Sequence, residues 1–320
     1  MLFLEEVQTS QGMILLLQET PSYYAQVANL FRKVFYRNYT SDYFKWKYRE
    51  SFREQIFAIG AVETATNTLV GHVAAVPLRG KLYDKDCTFF QFVDAMVDPH
   101  WRGHNLLTRM IHLLVKLIKA TTQNSFCYVF PGPISLEIGK KYKWLYPVDA
   151  VQDISFRAPS VLPRLTKPVI QFEENRLTVD THEKLFRQIL IDYPCCIQRD
   201  WTFFKWRFFE HPANKYNYYL VKLMGKPIGW SVFMKVQHEL RLIDYWIFKK
   251  FLPLFFTALC NYNGVTVWIP KHIRIAIKHL RPRYKDTPIT ACLIGDEKIW
   301  ANPTSIRDDL FYTMADIDIY

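Results

Sequence analysis

The segment Asp98-Pro99-His100-Trp101-Arg102-Gly103-His104-Asn105-Leu106-Leu107-Thr108 stands between an apolar run and a stretch with helical periodicity. A tight turn that opens a helix presents backbone N–H groups without intrahelical acceptors, and the helix dipole adds positive potential there. That combination suits an anion, and a pyrophosphate in particular. Arg102 adds a charged donor, and Gly103 permits backbone torsions closed to other residues. An ordinary strand–helix turn has the same ingredients, so the segment by itself does not decide between the two. Six cysteines (Cys87, Cys127, Cys195, Cys196, Cys260, Cys292) show no CxxC spacing or Cys/His cluster, so no metal site is expected. Cys127 has no His–Asp arrangement placed to activate it, and buried strand cysteines are inert.

The elements that must position this turn follow from periodicity. A short apolar strand is expected at Met13–Gln18, a helix from about Ser22 to Tyr36, and strands near Gln55–Glu63 and Leu69–Pro77. A long strand at Cys87–Val97 ends at Asp98-Pro99, and a helix follows at Leu106–Ala120. Next come a strand at Ser125–Phe130, a helix from about Ser135 to Tyr142 and a strand near Gln152–Arg157. Pro159–Pro168, with three prolines, has the composition of a linker.

The chain then repeats its pattern. Tyr43-Phe44-Lys45-Trp46-Lys47-Tyr48 matches Phe203-Phe204-Lys205-Trp206-Arg207-Phe208 type for type, and Val70-Gly71-His72 matches Ile228-Gly229-Trp230. Val93-Asp94-Ala95-Met96-Val97 matches Ile243-Asp244-Tyr245-Trp246-Ile247, and Tyr128-Val129-Phe130-Pro131 matches Val267-Trp268-Ile269-Pro270. The matches come in one order with a shrinking offset, which predicts two copies of one domain, 1–158 and 169–320, joined by 159–168. Each copy is a mixed α/β sheet with helices on both faces. The second copy has Phe248-Lys249-Lys250-Phe251-Leu252-Pro253 where the first has its Arg-Gly turn, so one anion site is expected, in the first half.

Composition bounds the function. Half of the 320 residues are hydrophobic and 22% are charged, which excludes a disordered or collagen-like chain. The longest apolar stretch, near Phe251–Cys260, is too short to span a bilayer, and the acidic start Met1–Glu6 is unlike a signal peptide. A soluble cytoplasmic protein with free thiols is expected. Forty-one Lys+Arg against 30 Asp+Glu give a net charge of +11, densest from Lys271 to Lys285. Such a balance favours an anionic partner without choosing among nucleotide phosphates, nucleic acid, acidic glycans or a membrane surface. The Lys271–Lys285 run is also what a solvated helix face and turn would show.

The turn and its flanks resemble motif A of the GNAT acyltransferases, which cradles the pyrophosphate of coenzyme A. More narrowly, the first half is similar to bacterial tandem-GNAT proteins of polysaccharide or cell-surface biosynthesis. The shared residues are Phe44–Tyr48, Val70-Gly71-His72, Asp94–Val97, Phe130-Pro131, Ser135 and Lys141–Trp144. The resemblance implies two tandem GNAT-like domains, the second degenerate and serving as substrate surface or dimer contact. It implies acetyl-CoA or another acyl-CoA as cofactor, held by Arg102, Gly103, His104, Asn105, Leu106, Leu107 and Thr108. Two positions depart from the family's loop: Asn105 stands for a glycine, which its tolerance of positive φ allows, and Leu107 for a small residue. The family's catalytic tyrosine position is Gly139 here.

Acyl transfer to an amine needs a base for the ammonium, a donor for the thioester oxygen and an acid for the leaving thiolate. The resemblance puts backbone N–H groups of Ala95, Met96 and Val97 at the thioester. Asp94 is the nearest carboxylate, and His72, on the adjacent strand, has a pKa suited to the same task. Tyr128 or Ser135 could protonate the thiolate. Each has a structural alternative: a bulge-capping or ion-paired Asp94, a sheet-face His72, a core Tyr128, an N-cap Ser135. The aromatic segment Phe44–Tyr48 recurs in both copies and is expected to be core.

The expected activity is N-acyl transfer to an amino group of a sugar, sugar nucleotide or surface-polymer intermediate, an anionic small-molecule or glycan acceptor, by direct attack in a ternary complex. A homodimer is compatible with this. Two rivals stand beside it: a Fem-type aminoacyl-tRNA-dependent transferase, and a degenerate GNAT pair that binds coenzyme A or a partner without turnover.

Overall fold

A computed structural model describes residues 2–49, 56–83, 85–122, 124–151, 153–155, 169–260, 264–276, 283–284, 289–294, 306 and 309–317. The expected linker 159–168, and residues 277–282 and 285 of the basic run, lie outside the described residues. The chain divides into two compact units, Met1–Arg79 with Cys87–Val129, and Gly80–Asp86 with Phe130–Tyr320.

The first unit contains β1 (Leu2–Gln8), β2 (Met13–Gln18), α1 (Tyr24–Phe35), α2 (Ser41–Arg49), β3 (Phe57–Glu63), most of β4 (Thr68–Leu82) and β5 (Lys85–Val97), α3 (Leu106–Thr121) and β6 (Ser125–Val129). The strands lie in chain order, β1 to β6. Neighbours β1/β2, β2/β3 and β3/β4 are antiparallel and β5/β6 are parallel. All of β3 is buried, as its continuous apolar run Phe57–Val62 requires. Helix α1 turns Tyr24, Val27, Leu30 and Phe31 inward at helical spacing and ends where Tyr36 turns left-handed. Helix α3 buries Leu106, Met110, Ile111, Leu114 and Ile118 and packs on β3. Gly71 on β4 leaves room for the Met110 side chain, which would lie 3.0 Å from a Cβ there.

Two elements of this unit are absent from the sequence reading. Strand β1 carries Glu5-Glu6 in mid-strand and holds to β2 through its backbone, with a register irregularity between Phe3 and Glu5. Helix α2 is the aromatic segment Tyr43–Tyr48, whose alternating lysines hide its helical period.

The second unit contains α4 (Pro133–Lys141), β7 (Leu145–Val151), β8 (Ile154–Ser155), β9 (Ile170–Glu174), α5 (Val179–Ile189), β10 (Cys195–Ile197) and α6 (Trp201–Phe204), which runs on into a wider turn over Lys205–Phe209. Then follow β11 (Asn217–Leu223), β12 (Lys226–Val236), β13 (Glu239–Ile247), α7 (Leu252–Leu259), β14 (Val265–Val267), α8 (Lys271–Ala276), β15 (Arg283–Tyr284), β16 (Ile289–Ile294) and β17 (Leu310–Phe311). One sheet has the order β15-β8-β14-β13-β12-β11-β9. From β9 to β13 its neighbours are antiparallel, and β13/β14 are parallel. Strand β7 pairs with β16, and β10 pairs with β17 and with the Gly80–Leu82 end of β4.

The mixed α/β class is as expected from the sequence. The units divide the chain differently from the 1–158 and 169–320 boundaries. Strand β8, near the end of the expected first domain, lies between β14 and β15, where Ile154 opposes both Val267 and Tyr284. A sheet needs a partner for each edge it buries, and a strand distant in sequence supplies it here.

Candidate active site

Strand β5 is the backbone of the site. Its parallel register with β6 runs from Thr88–Ser125 to Gln91–Tyr128, so Phe92–Val97 continue past the end of that pairing. Within this stretch Asp94 adopts φ +52°, a left-handed torsion inside a strand. Such a residue breaks the alternation and re-aims the groups that follow, Ala95, Met96 and Val97. Ala95 and Val97 are half-buried and Met96 is buried.

The turn after β5 is held from below. The Asp98 N–H donates to the Val70 carbonyl of β4 at 2.8 Å, and its carboxylate accepts from the His100 N–H at 3.0 Å and from Lys33 at 2.6 Å. A single helical turn over Pro99–Trp101 follows, then Arg102, whose Nε donates to the Val97 carbonyl at 3.4 Å, leaving an exposed side chain. Gly103 has φ +91° with nothing within 4 Å of a Cβ position. Asn105 has φ +58° and makes no side-chain cap on α3. The first-turn N–H groups of Leu106, Leu107 and Thr108 therefore emerge from a left-handed bend beside open space. His104 contacts the Trp101 ring, and Leu107 and Thr108 are half-buried. These features suit a pyrophosphate: the first-turn N–H groups of α3 follow a left-handed bend, the exposed Arg102 is at hand, and the adjacent Asp98 carboxylate is paired with Lys33.

Beneath the Asp94 bend lies a buried chain of polar groups. Lys47 donates to both Asp94 oxygens at 2.8 Å, with side-chain exposures of 4% and 2%. The Tyr48 hydroxyl donates to Asp94 Oδ2 and lies 3.1 Å from His72 Nε2. His72 Nδ1 lies 2.6 Å from Glu19 Oε1. Because the hydroxyl proton points at Asp94, Nε2 must carry a proton and donate to the Tyr48 oxygen. Gly60 admits the Glu19 side chain, whose Oε1 would lie 2.7 Å from a Cβ there. Burial and the adjacent Asp94 charge push the Tyr48 phenol well above its ordinary pKa, so it stays a donor.

The structure thus brings Asp94 and His72 into one network, with Asp94 ion-paired to a lysine, and it fully buries the His72 ring. Tyr128 is a core side chain edge-on to Phe89, 6.2 Å between ring centres. Ser135 is half-buried on α4, in the second unit. A side chain at Gly139 would run into Leu145, so no tyrosine fits that position. Burial pushes the Cys127 thiol up to about 12, which keeps it protonated. Lys47, Tyr48 and Glu19 are additions that sequence reasoning missed.

In the second unit the corresponding loop enters α7 without a left-handed residue, and the Lys249 N–H donates to the Asp192 carboxylate at 2.8 Å. Asp244, the counterpart of Asp94, pairs with the fully buried Arg199 at 3.4 Å and accepts from Thr313 at 2.7 Å. Among the described residues no group of His, Cys, Asp or Glu could hold a metal, and no helix is long and apolar enough to cross a membrane. Cys127 and Cys260 are free thiols.

Residues 18–146 match the acetyltransferase (GNAT) domain. The β5 bend, the turn and α3 all fall inside the match. The chain is accordingly an acyltransferase whose donor is acetyl-CoA or another acyl-CoA. Solved structures agree on the fold. A conserved protein of unknown function from Enterococcus faecalis is similar with a TM-score of 0.65 at 10% identity, over 88% of this chain and 72% of that one. A GCN5-related N-acetyltransferase from Anabaena variabilis gives 0.63 at 12% identity, over 88% and 72%. The Saccharomyces cerevisiae N-myristoyltransferase with bound myristoyl-CoA gives 0.59 at 12% identity, over 91% and 84%. No curated protein matches the chain in sequence. For the GNAT-like domain these likenesses speak to fold alone.

Proposed function

We propose that this protein transfers an acyl group from acyl-CoA to an amino group of a sugar, sugar nucleotide or surface-polymer intermediate, in one ternary complex. The observation that carries the proposal is the turn from Asp98 to Leu106, where left-handed Asn105 and Gly103, with open space beside it, lead into the uncapped first turn of α3. Arg102 to Thr108 hold the pyrophosphate. The freed edge of β5, Ala95 to Val97, lies along the donor and supplies N–H groups to its carbonyl. The donor, when bound, supplies the activated thioester. The acceptor amine gives up one proton and forms the amide bond, and the C–S bond breaks to release the free thiol.

The acceptor class rests on charge. A net +11 favours an anionic acceptor such as a sugar nucleotide or acidic glycan over a cationic one. We read the chain as a duplication in which the second copy binds no cofactor and forms acceptor surface or a homodimer contact. The like strand order of β2-β3-β4-β5-β6 and β9-β11-β12-β13-β14 supports that reading, and a cytoplasmic location accords with it. One observation favours a second reading, a coenzyme A binder without turnover: Asp94 and His72 both lack a solvent-facing side chain.

The test takes the full chain with acetyl-CoA in a calorimeter, then follows thiol release against a panel of amino sugars and their nucleoside diphosphate forms. Binding at one site per chain and acceptor-dependent thiol release are expected. Binding without release from any amine selects the second reading, and no binding overturns both.

A further inference from the structure

Asp94 is the one residue of β5 with a positive φ among those described, and three buried side chains from other elements converge on it or on its partner. Lys47 and Tyr48 come from α2, and His72 from β4. A left-handed aspartate is strained and persists only where its surroundings over-determine it. Here they do. Lys47 grips both oxygens, and Tyr48 adds a charge-assisted hydrogen bond to one of them. Tyr48 is itself fixed by the His72 N–H, whose ring is fixed by Glu19.

The second sheet supplies an internal comparison. At the corresponding sequence positions Phe208 replaces Tyr48 and Trp230 replaces His72. Neither offers a partner of the same kind, and Asp244 there has no positive φ. Its carboxylate is held by Arg199 and Thr313 instead, while Arg207, in the place of Lys47, donates to the carbonyls of Ala315 and Ile317. The left-handed bend and the hydroxyl–imidazole chain occur together or not at all.

We propose that Tyr48 is a positioning residue for acyl transfer. Its hydroxyl, held by His72, joins Lys47 in pinning the Asp94 carboxylate, and so fixes the bend that aims the N–H groups of Ala95 to Val97 at the thioester carbonyl. On this view Asp94 is a strut of the carbonyl-binding strand, its oxygens already engaged by Lys47 and Tyr48. The inference rests on the acyl-CoA reading of the turn. It adds a distinct claim, that polarisation of the carbonyl depends on a side chain that touches neither donor nor acceptor.

The test compares the wild-type chain with Tyr48→Phe by three measurements. Calorimetry gives acetyl-CoA affinity, infrared difference spectra give the carbonyl band of bound [1-13C]acetyl-CoA, and NMR gives amide exchange at Ala95 and Met96 in the free protein. The expected wild-type carbonyl band lies below that of free acetyl-CoA. In Tyr48→Phe it moves back toward the free value, exchange at Ala95 and Met96 accelerates, and affinity stays within about twofold because the pyrophosphate turn is untouched. Where an amine acceptor is in hand, kcat falls about 10- to 100-fold with KM for acetyl-CoA little changed, the size expected of a misaimed donor.

A carbonyl band and exchange rates identical in the two proteins overturn the inference. Failure of the wild type to bind acetyl-CoA is a different result, visible before any spectrum, and it overturns the acyl-CoA reading together with what rests on it. Should Tyr48→Phe lose its fold, Tyr48→Phe/His72→Leu/Glu19→Met carries the same comparison. Replacing the whole set by apolar groups leaves neither an orphaned imidazole nor an orphaned carboxylate.

Discussion

Lys47 and Asp94 form a two-oxygen ion pair in the interior of the first unit, 2.8 Å on each side, with almost no solvent contact. Two charges taken out of water depend on each other. Removing one leaves the other uncompensated, at about 3–5 kcal/mol. Asp94→Asn is therefore expected to lower the unfolding free energy by that amount and to depress activity together with stability. The double variant Lys47→Met/Asp94→Asn should recover most of the stability and none of the activity. Denaturant unfolding of the four proteins closes the cycle. Equal stability of Asp94→Asn and wild type would show that the pair contributes nothing.

Arg102 is exposed at the mouth of the turn and makes one weak contact of its own, to the Val97 carbonyl. Arg102→Ala should leave the melting temperature within a degree or two while weakening acetyl-CoA binding about 10- to 150-fold, the equivalent of about 1.5–3 kcal/mol for a charge-assisted phosphate contact. Calorimetry showing two equivalent sites per chain, or unchanged affinity in the variant, would contradict the single-site arrangement.

Asn105 holds φ +58° at the entry to α3. Glycine takes that torsion without strain and alanine does not, so Asn105→Ala should be less stable than Asn105→Gly by about 1 kcal/mol. Alanine should also blunt cofactor affinity, since the bend sets the aim of the N–H groups behind it. The ordering of the two variants in affinity and in unfolding free energy is the measurement.

His182 in the second unit is buried against Trp230, Phe204 and Trp201, and neither ring nitrogen has a hydrogen-bond partner. Burial lowers its pKa to about 3. A depressed imidazole pKa means the unfolded chain takes up a proton that the folded chain refuses. Its stabilising effect is full above about pH 6.5 and is lost as pH falls from there toward 3, by up to about 1.4 kcal/mol per pH unit. His182→Phe should flatten the acid limb of stability between pH 6.5 and 4. Parallel melting curves of variant and wild type across that range would refute this.

Much of the first unit was legible because its signals are periodic. Leu106 to Ile118 keeps the spacing of an amphipathic helix, and Asp98-Pro99 followed by Arg102-Gly103 marks the turn before it. Lys47 was not legible, for a geometric reason. In Phe44-Lys45-Trp46-Lys47-Tyr48 the two lysines look alike in sequence, yet α2 turns Lys45 outward and Lys47 into the core. A lysine one helical turn beyond Tyr43 and Phe44, on their apolar face, was the available clue. Asp94 was singled out by position, but nothing in its type announces a positive φ. The placement of β8 was hidden for another reason: two residues, Ile154 and Ser155, carry no pattern, and their partners lie more than a hundred positions onward.

That long-range pairing has a consequence for how the polypeptide is made. Ile154 waits for Val267, Leu82 for Cys195, and Cys195 in turn for Leu310. Each contact closes a large loop, and loops of that span slow folding. On the ribosome, the first unit has all of its strands β1–β6 in hand once Val129 has emerged. The second unit still lacks a strand until Phe311 appears, almost at the end of translation. Between those two moments β8 waits first for β14 and β15 and one edge of β10 waits for β17, which makes that interval the time when this chain most depends on chaperones and is most open to mispairing with another copy.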